Sequence, residues 1–270
     1  MAIGRFRAAN RDYWDGEVDL NLKSWDIDGF LRDPARLTRI VAADREALGD
    51  VKGKSLIHLQ CHFGLDTLAW SRLGADVTGV DFSARAIATA IDLAKRAGAR
   101  ARFVEADLYE APQAVHESFD FVYTSGGALC WLPDVKGWAD VVSRLLKPGG
   151  VFYIREAHPM LWSLEAERED EQLVVGLPYF ETPEPKQWDA APAWDKERVA
   201  PTTHYVWQHG LGEIVSALIE AGLTIQFLRE HRTCLWQALH FMVRDEHGWW
   251  RLPDRPERLP LMYSIRALKA

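Results

Sequence analysis

The sequence is short of cysteine, of long apolar runs and of positive charge. Cys61, Cys130 and Cys234 are an odd number, far apart and without CxxC spacing. That excludes a disulfide framework and leaves no zinc-knuckle signature, so a reducing, cytoplasmic setting is expected. No stretch approaches the ~18 apolar residues of a membrane span, and the opening "MAIGRFRAANRDYW" lacks the apolar core of a signal peptide. A soluble protein with no membrane partner is the expectation. The net charge of -7 carries no electrostatic footprint for neutralising phosphates, which argues against a nucleic-acid partner. Nothing in the sequence speaks to oligomeric state.

What is present is a rhythm. From Lys54 to Ile154, short apolar strands alternate with amphipathic helices: strands at 55–60, 76–81, 101–107, 119–125 and 151–157, with helices over 65–74, 83–97 and 135–146 between them. Ser83 is placed to cap its helix, whose inner face is read as Ile87, Ala90, Ile91 and Ala94, and Gly98 marks its end. Strands interleaved with helices of this length predict an α/β fold with a doubly wound, mostly parallel, seven-stranded sheet covered on both faces. A helix at 211–222 and strands at 223–230 and 261–269 complete it. The reading divides the chain into an N-terminal helical cap (1–50), a Rossmann-like core (51–158) and an insertion or lid (159–208). The closing segment (209–270) includes a substrate-side loop at 231–260. The insertion, rich in Pro, Trp and charge, is too long for an idle connection.

In such sheets a ligand lies beyond the carboxyl ends of the strands, near the point where strand order reverses. The first strand end, "HLQCHFGLDT" (58–67), keeps a single glycine, Gly64, where nucleotide-binding turns usually have several. Asp81 ends the next strand about 20 residues later, the distance at which a carboxylate meets ribose hydroxyls, and Phe82 beside it offers a ring to a purine. Asp107 closes the third strand between Ala106 and Leu108. Thr124 and Ser125 open "TSGG", whose small residues allow close backbone approach. An NAD-dependent oxidoreductase shares the ribose carboxylate but needs a pyrophosphate cradle that His62 and Phe63 crowd. His58, Cys61 and His62 do not share a helical face and lack a fourth ligand, so no metal is expected.

Residues 54–154 resemble the core of the class I S-adenosylmethionine-dependent methyltransferases, and the terminal helix and strand pairs resemble the end of that fold. In that family an acidic residue precedes GxGxG. Here His58 takes the acidic position, Gln60 and His62 the first two glycine positions, and Gly64 the last. The stretch is also similar to a subgroup carrying the same His-Phe-Gly variant. The resemblance implies S-adenosylmethionine as cofactor, bordered by Gln60, His62, Gly64, Asp81, Phe82, Ala106, Asp107, Leu108, Thr124 and Ser125. Tyr13 and Trp14 of the N-terminal segment would close over its methionine end.

Leu129 precedes Cys130 where a cysteine-nucleophile methyltransferase has proline. "TSGG" also stands where many enzymes that methylate nucleic acid or protein amino groups have Asn-Pro-Pro-aromatic. A small-molecule acceptor remains, with transfer to oxygen or nitrogen. A non-catalytic nucleoside-binding relative is the other class of answer. Candidate bases are His158, just past the fifth strand, and His204. His209 is read as capping the helix after the insertion. Trp131, Trp162, Tyr179, Trp207 and Trp236 are candidates to line a flat apolar cavity for an aromatic or heterocyclic acceptor. Core packing is the competing role for the twelve tryptophans.

Overall fold

The computed structural model describes residues 2–189 and 203–270, so part of the Pro- and Trp-rich insertion, 190–202, lies outside the described residues. Three helices come first: α1 (Ala2–Ser24), α2 (Ile27–Arg32) and α3 (Arg39–Leu48). Strands and helices then alternate as β1 (Ser55–Leu59), α4 (Leu65–Arg72), β2 (Asp76–Asp81), α5 (Ala84–Ala97), β3 (Ala101–Glu105), α6 (Ala111–Val115), β4 (Phe119–Ser125), α7 (Val135–Leu145) and β5 (Leu146–Ala157). After them come α8 (Pro159–Trp162), β6 (Lys186–Trp188), β7 (His204–Val206), α9 (Leu211–Glu220) and β8 (Leu223–His231). The short strands β9 (Thr233–Cys234), β10 (Val243–Arg244) and β11 (Trp250–Arg251) precede the closing β12 (Met262–Lys269).

Local chemistry sets the element ends. The Ser83 hydroxyl accepts from Ala86 N at 3.0 Å, and Gly98 leaves α5 with φ +61. The buried stripe of α5 is Ala86, Ile87, Ala90, Leu93 and Ala94. Ile91, expected on that stripe, is 39% exposed, because one residue beyond Ala90 is ~100° round the helix. β3 ends at Glu105, short of the expected Asp107, whose carboxylate instead accepts from Tyr109 N at 3.0 Å and heads a single 3₁₀ turn. β5 starts at Leu146, earlier than expected, and its pairing with β4 shifts register between Phe119 and Phe121, next to the Pro148-Gly149-Gly150 turn.

The seven main strands run in the order β3-β2-β1-β4-β5-β12-β8. β1 pairs in parallel with both β2 and β4, with His58 beside Gly79 on one side and Tyr123 on the other. Successive connections leave β1 in opposite directions, so the reversal of strand order lies between β1 and β4. β12 is antiparallel to β5 and β8 and closes the far side. One core packs around Trp138 with α7 and α9, the other around Trp70 with α3 and α4. A smaller cluster, including Cys234, Leu239, Met242, Leu252 and Leu261, supports the β10-β11-β9 sheet. The segment 231–260, expected as a loop, is therefore a small lobe with its own core. Its two-residue strands are too short to show a period. Among the described residues no helix is long and apolar enough to cross a membrane.

Gly64 N-caps α4 at φ +75, and a Cβ there would lie 2.5 Å from the Phe103 ring and 3.0 Å from Ala90 Cβ. Gly64→Ala should destabilise the fold by about 2–5 kcal/mol, the sum of left-handed strain and overpacking. Urea unfolding of the two proteins checks it.

Candidate active site

The turn after β1 is built from residues ill suited to its backbone. Gln60 and His62 hold φ of +55 and +50, costing ~1–2 kcal/mol each for residues with a Cβ. The surroundings offset this. Gln60 Nε2 donates to Ala128 O at 2.9 Å, Cys61 N to Val80 O at 3.0 Å, and His62 N to Asp81 Oδ2 at 2.8 Å. Gln60 and His62 line the cavity above the sheet. Gly64 does not: it faces Phe103 and Ala90 behind the turn. The single glycine serves packing, whereas the expectation was close approach to a ligand.

Asp81 is 7% exposed and accepts from Ser83 N at 2.9 Å through its other oxygen, so one carboxylate ties the turns after β1 and β2 together. Burial pushes its pKa up to about 6, against the pull of the Ser83, His62 and Phe82 N–H groups. Phe82, Ala106, Asp107 and Leu108 line the same cavity, and Arg7 Nε lies 3.5 Å from Asp107 Oδ2. At the end of β4 Ser125 reaches the cavity, while Thr124 is fully buried in the sheet and is not part of the lining. The strand's alternation, which turns neighbours to opposite faces, separates the two.

Helix α1 closes the site. Asn10 Nδ2 donates to Tyr205 O and its Oδ1 accepts from Tyr205 N, both at 2.8 Å, which clamps α1 to β7. Ser83 Oγ donates to Asp15, and Arg85 pairs with Asp19, holding α1 to α5. Tyr13 stacks on Trp131 with centroids 5.5 Å apart and lies 4.2 Å from the His204 ring. Trp14 meets Trp131 edge-on at 5.0 Å and His62 at 5.1 Å. Tyr13, Trp14 and His204 thus converge with the turn after β1.

The cavity measures about 1700 Å³, beyond the ~300–1,000 Å³ of an ordinary single-ligand pocket. Nine of the twelve tryptophans line it, so most of them are wall and Trp70 and Trp138 are core. Trp162 and Trp236 stack at 5.8 Å on the lobe side, and Trp207 also lines the space. Tyr179, expected there, lies outside: it borders a separate shallow pocket, and its hydroxyl accepts from Leu211 N at 3.2 Å.

His158 is likewise absent from the lining. Its Nδ1 accepts from Met160 N at 3.0 Å, capping α8, and its Nε2 is 3.1 Å from Glu230. Placement just past β5 pointed to the ligand edge, but the Pro159 turn directs the ring into the junction with β8. His209 does not cap α9. Gly210 is the N-cap, paired with Glu213, and His209 Nε2 contacts Leu132 O at 2.7 Å. Of the histidines expected near the acceptor, His204 is the one in the cavity wall. Cys130, also in the wall, has its thiol pKa driven well upward by burial, which disfavours a thiolate.

One lining residue was not anticipated. Asp66, in the first turn of α4, is half-buried, with Oδ2 3.4 Å from the Ser125 hydroxyl and a buried Oδ1 that meets no hydrogen-bond partner. Burial raises its pKa to about 6. The only cue in the sequence is an acid among the apolar residues following Gly64.

The family-level comparisons agree with this geometry. Residues 57–154 match the model of a family described as a methyltransferase domain. That stretch, the core from β1 to β5, resembles the class I S-adenosylmethionine-dependent methyltransferases. A ubiquinone biosynthesis O-methyltransferase of Sodalis glossinidius is 29% identical over 145 residues, 51% of this chain and 56% of the relative. Its counterpart in Pectobacterium carotovorum is 30% identical over 132 residues, 48% and 54% of the two chains. The chain thus spans about half the length of the curated relatives it matches. In fold it is similar to a putative S-adenosylmethionine-dependent methyltransferase from Listeria monocytogenes, with TM-score 0.61, 16% identity and coverage of 86% of this chain and 98% of the other. A methyltransferase from Clostridium acetobutylicum gives TM-score 0.58 at 14% identity over 94% and 96% of the chains. Gln60 and His62, aligned in the sequence with the first two glycines of such a turn, both keep left-handed backbone.

Behind the wall, Glu156 Oε2 accepts from Ala128 N (2.7 Å) and Leu129 N (3.2 Å), and Oε1 accepts from Ala157 N (2.7 Å), anchoring the loop that carries Trp131. Burial nevertheless raises its pKa from 4.5 to about 7. A raised folded-state pKa contributes stability below the unfolded value, and that contribution is lost as pH rises through about 7. The full window represents on the order of 3 kcal/mol. The Glu156→Gln protein should therefore lose less stability than the parent between pH 5 and 8, read as a shallower slope of Tm against pH.

Proposed function

We propose that the protein is an S-adenosylmethionine-dependent methyltransferase that acts on a small, flat, aromatic or heterocyclic acceptor, transferring the methyl group to oxygen or nitrogen. The observation that carries this reading is the order of side chains along the sheet edge. Asp107 stands beyond β3, Asp81 beyond β2, and the left-handed turn beyond β1, all opening into one cavity under α1. Four lining residues, Arg7, Gln60, His62 and Asp66, each have a buried polar atom that forms no hydrogen bond, as a site awaiting a polar guest does.

In this reading Asp81 accepts from ribose hydroxyls with the lone pairs that the His62 and Ser83 N–H groups leave open. Phe82 and Leu108 flank a purine, and Asp107 accepts from its amino group. When bound, the cofactor supplies an electrophilic methyl group on a sulfonium. Tyr13, Trp14 and Trp131 hold the acceptor and exclude water, and most of the catalysis of an in-line displacement follows from such positioning. His204 takes the proton of an acceptor hydroxyl or ammonium group. The curated relatives are named as O-methyltransferases, which favours oxygen. The space beyond the nucleoside half, walled by Trp162, Trp236 and Trp249, suits an aromatic acceptor.

Calorimetric titration should show saturable binding of S-adenosylmethionine and S-adenosylhomocysteine and no heat with NAD; the opposite pattern returns the oxidoreductase reading. Asp81→Asn should weaken both adenosyl ligands about tenfold or more, the value of a hydrogen bond to a charged group. Once an acceptor has been found by screening aromatic and heterocyclic hydroxyl and amino compounds, His204→Ala should lower kcat while leaving cofactor affinity near the parent value. His158→Ala should leave kcat unchanged across pH.

A further inference from the structure

Outside the large cavity, three side chains of metal-ligand type meet where the insertion returns to α9. An oxygen from each of the Glu181 and Glu213 carboxylates and a ring nitrogen of His209 all lie within 4.8 Å of one another. Glu181 belongs to the insertion, His209 immediately precedes the N-cap of α9, and Glu213 lies in that helix's first turn. The two carboxylates line the shallow pocket that Pro133, Tyr179 and Trp207 also border.

The histidine is what distinguishes this cluster from a pair of surface acids. His209 is 4% exposed, and its Nε2 lies 2.7 Å from Leu132 O. A carbonyl oxygen only accepts, so Nε2 carries the ring proton and Nδ1 of the neutral ring keeps its lone pair. That Nδ1 is closed to solvent and forms no hydrogen bond. An imidazole whose far N–H is fixed on a backbone carbonyl has the arrangement of a metal-bound histidine, because that bond sets both tautomer and ring direction. Glu213 is held in a comparable way. Its Oε2 accepts from Gly210 N at 3.2 Å, which folds the carboxylate back beside His209 and leaves the second oxygen for another partner.

The local charge is negative and uncompensated. Among the described residues neither Glu181 nor Glu213 forms an ion pair, and Asp134 adds a further negative charge that acts on both Glu181 and His209. Carboxylates brought together in this way repel unless a cation or a proton joins them. One imidazole nitrogen with two carboxylate oxygens suits zinc, whose tetrahedron a water completes; magnesium and calcium take shells of oxygen alone.

We propose that Glu181, His209 and Glu213 form a zinc-class divalent metal site that clips the insertion to α9. The clip reaches the cavity wall from outside. His209 holds Leu132, in the loop that carries Trp131, and Trp207 borders both the shallow pocket and the cavity. Its role is to fix that wall in place, and it stands apart from the cofactor reading, which none of the three ligands serves.

Calorimetry tests it on the full chain, stripped of metal with a chelator and then dialysed, with zinc chloride and magnesium chloride as the probes. A single zinc ion should bind in the micromolar range or tighter, and magnesium about a hundredfold more weakly. Glu181→Gln and Glu213→Gln should each weaken zinc about tenfold or more. The second variant keeps its helix cap, since glutamine also serves at that position, so its loss does not report misfolding. His247→Ala, which removes the exposed pair with Glu246, should bind zinc like the parent. Zinc should also slow amide hydrogen exchange over 179–182 in the parent and leave it unchanged in Glu181→Gln. The proposal is overturned if zinc gives no heat, as it would if the two carboxylates simply share a proton, or if magnesium binds as tightly as zinc. It is equally overturned if both glutamine variants keep the parent affinity, if His247→Ala abolishes binding, or if bound zinc leaves exchange over 179–182 untouched.

Discussion

One buried carboxylate holds the site in shape. Asp81 accepts backbone N–H groups from His62 and from Ser83, joining the turns that follow β1 and β2. The bond to His62 is what makes a left-handed turn tolerable with a histidine and a glutamine in it, because charge-assisted hydrogen bonds are worth about 1.5–3 kcal/mol, comparable to the strain. The same two bonds keep the side chain directed at the cavity. Asp81 is therefore a structural brace, and the binding role proposed for it would draw on different lone pairs.

The outer half of the cavity depends on contacts of long sequence separation. Asn10 grips the backbone of Tyr205, 195 residues away, and the Tyr13, Trp14, Trp131 and His204 rings converge from three parts of the chain. Glu156 fixes the loop carrying Trp131 through the Ala128 and Leu129 N–H groups. Acids crowd the sheet edge, while Arg39 and Arg244 stand near the aromatic lobe, over Trp249 and Trp250. The cavity is thus more acidic where a cationic cofactor is proposed and more aromatic where the acceptor is.

Much of this was legible in the residues. Strand and helix periods place β1 to β5 and the helices α4, α5 and α7 to within a few residues, though not the short α6, and the spacing from the first turn to Asp81 singles out that carboxylate. Tyr13 and Trp14 are likewise found on the closing helix. The errors share a cause. Thr124 and Ser125 are neighbours in sequence, yet strand alternation sends one into the sheet. Pro159 turns His158 away from the edge it seemed to face. Tyr179 belongs to an insertion without periodicity, and Asp66 hides in a short helix buried nearly all round.

By itself the sequence determines the layered α/β sheet, the carboxylates at its strand ends and the departure from a glycine-rich turn, because backbone periodicity and turn chemistry are local. Which side of the turn Gly64 serves, which histidine enters the cavity and where the orphaned Asp66 oxygen points were decided only in three dimensions. Side-chain direction at a strand end or loop depends on what packs behind it, and in this protein that packing comes from Phe103, Glu230 and Ser125, each distant along the chain.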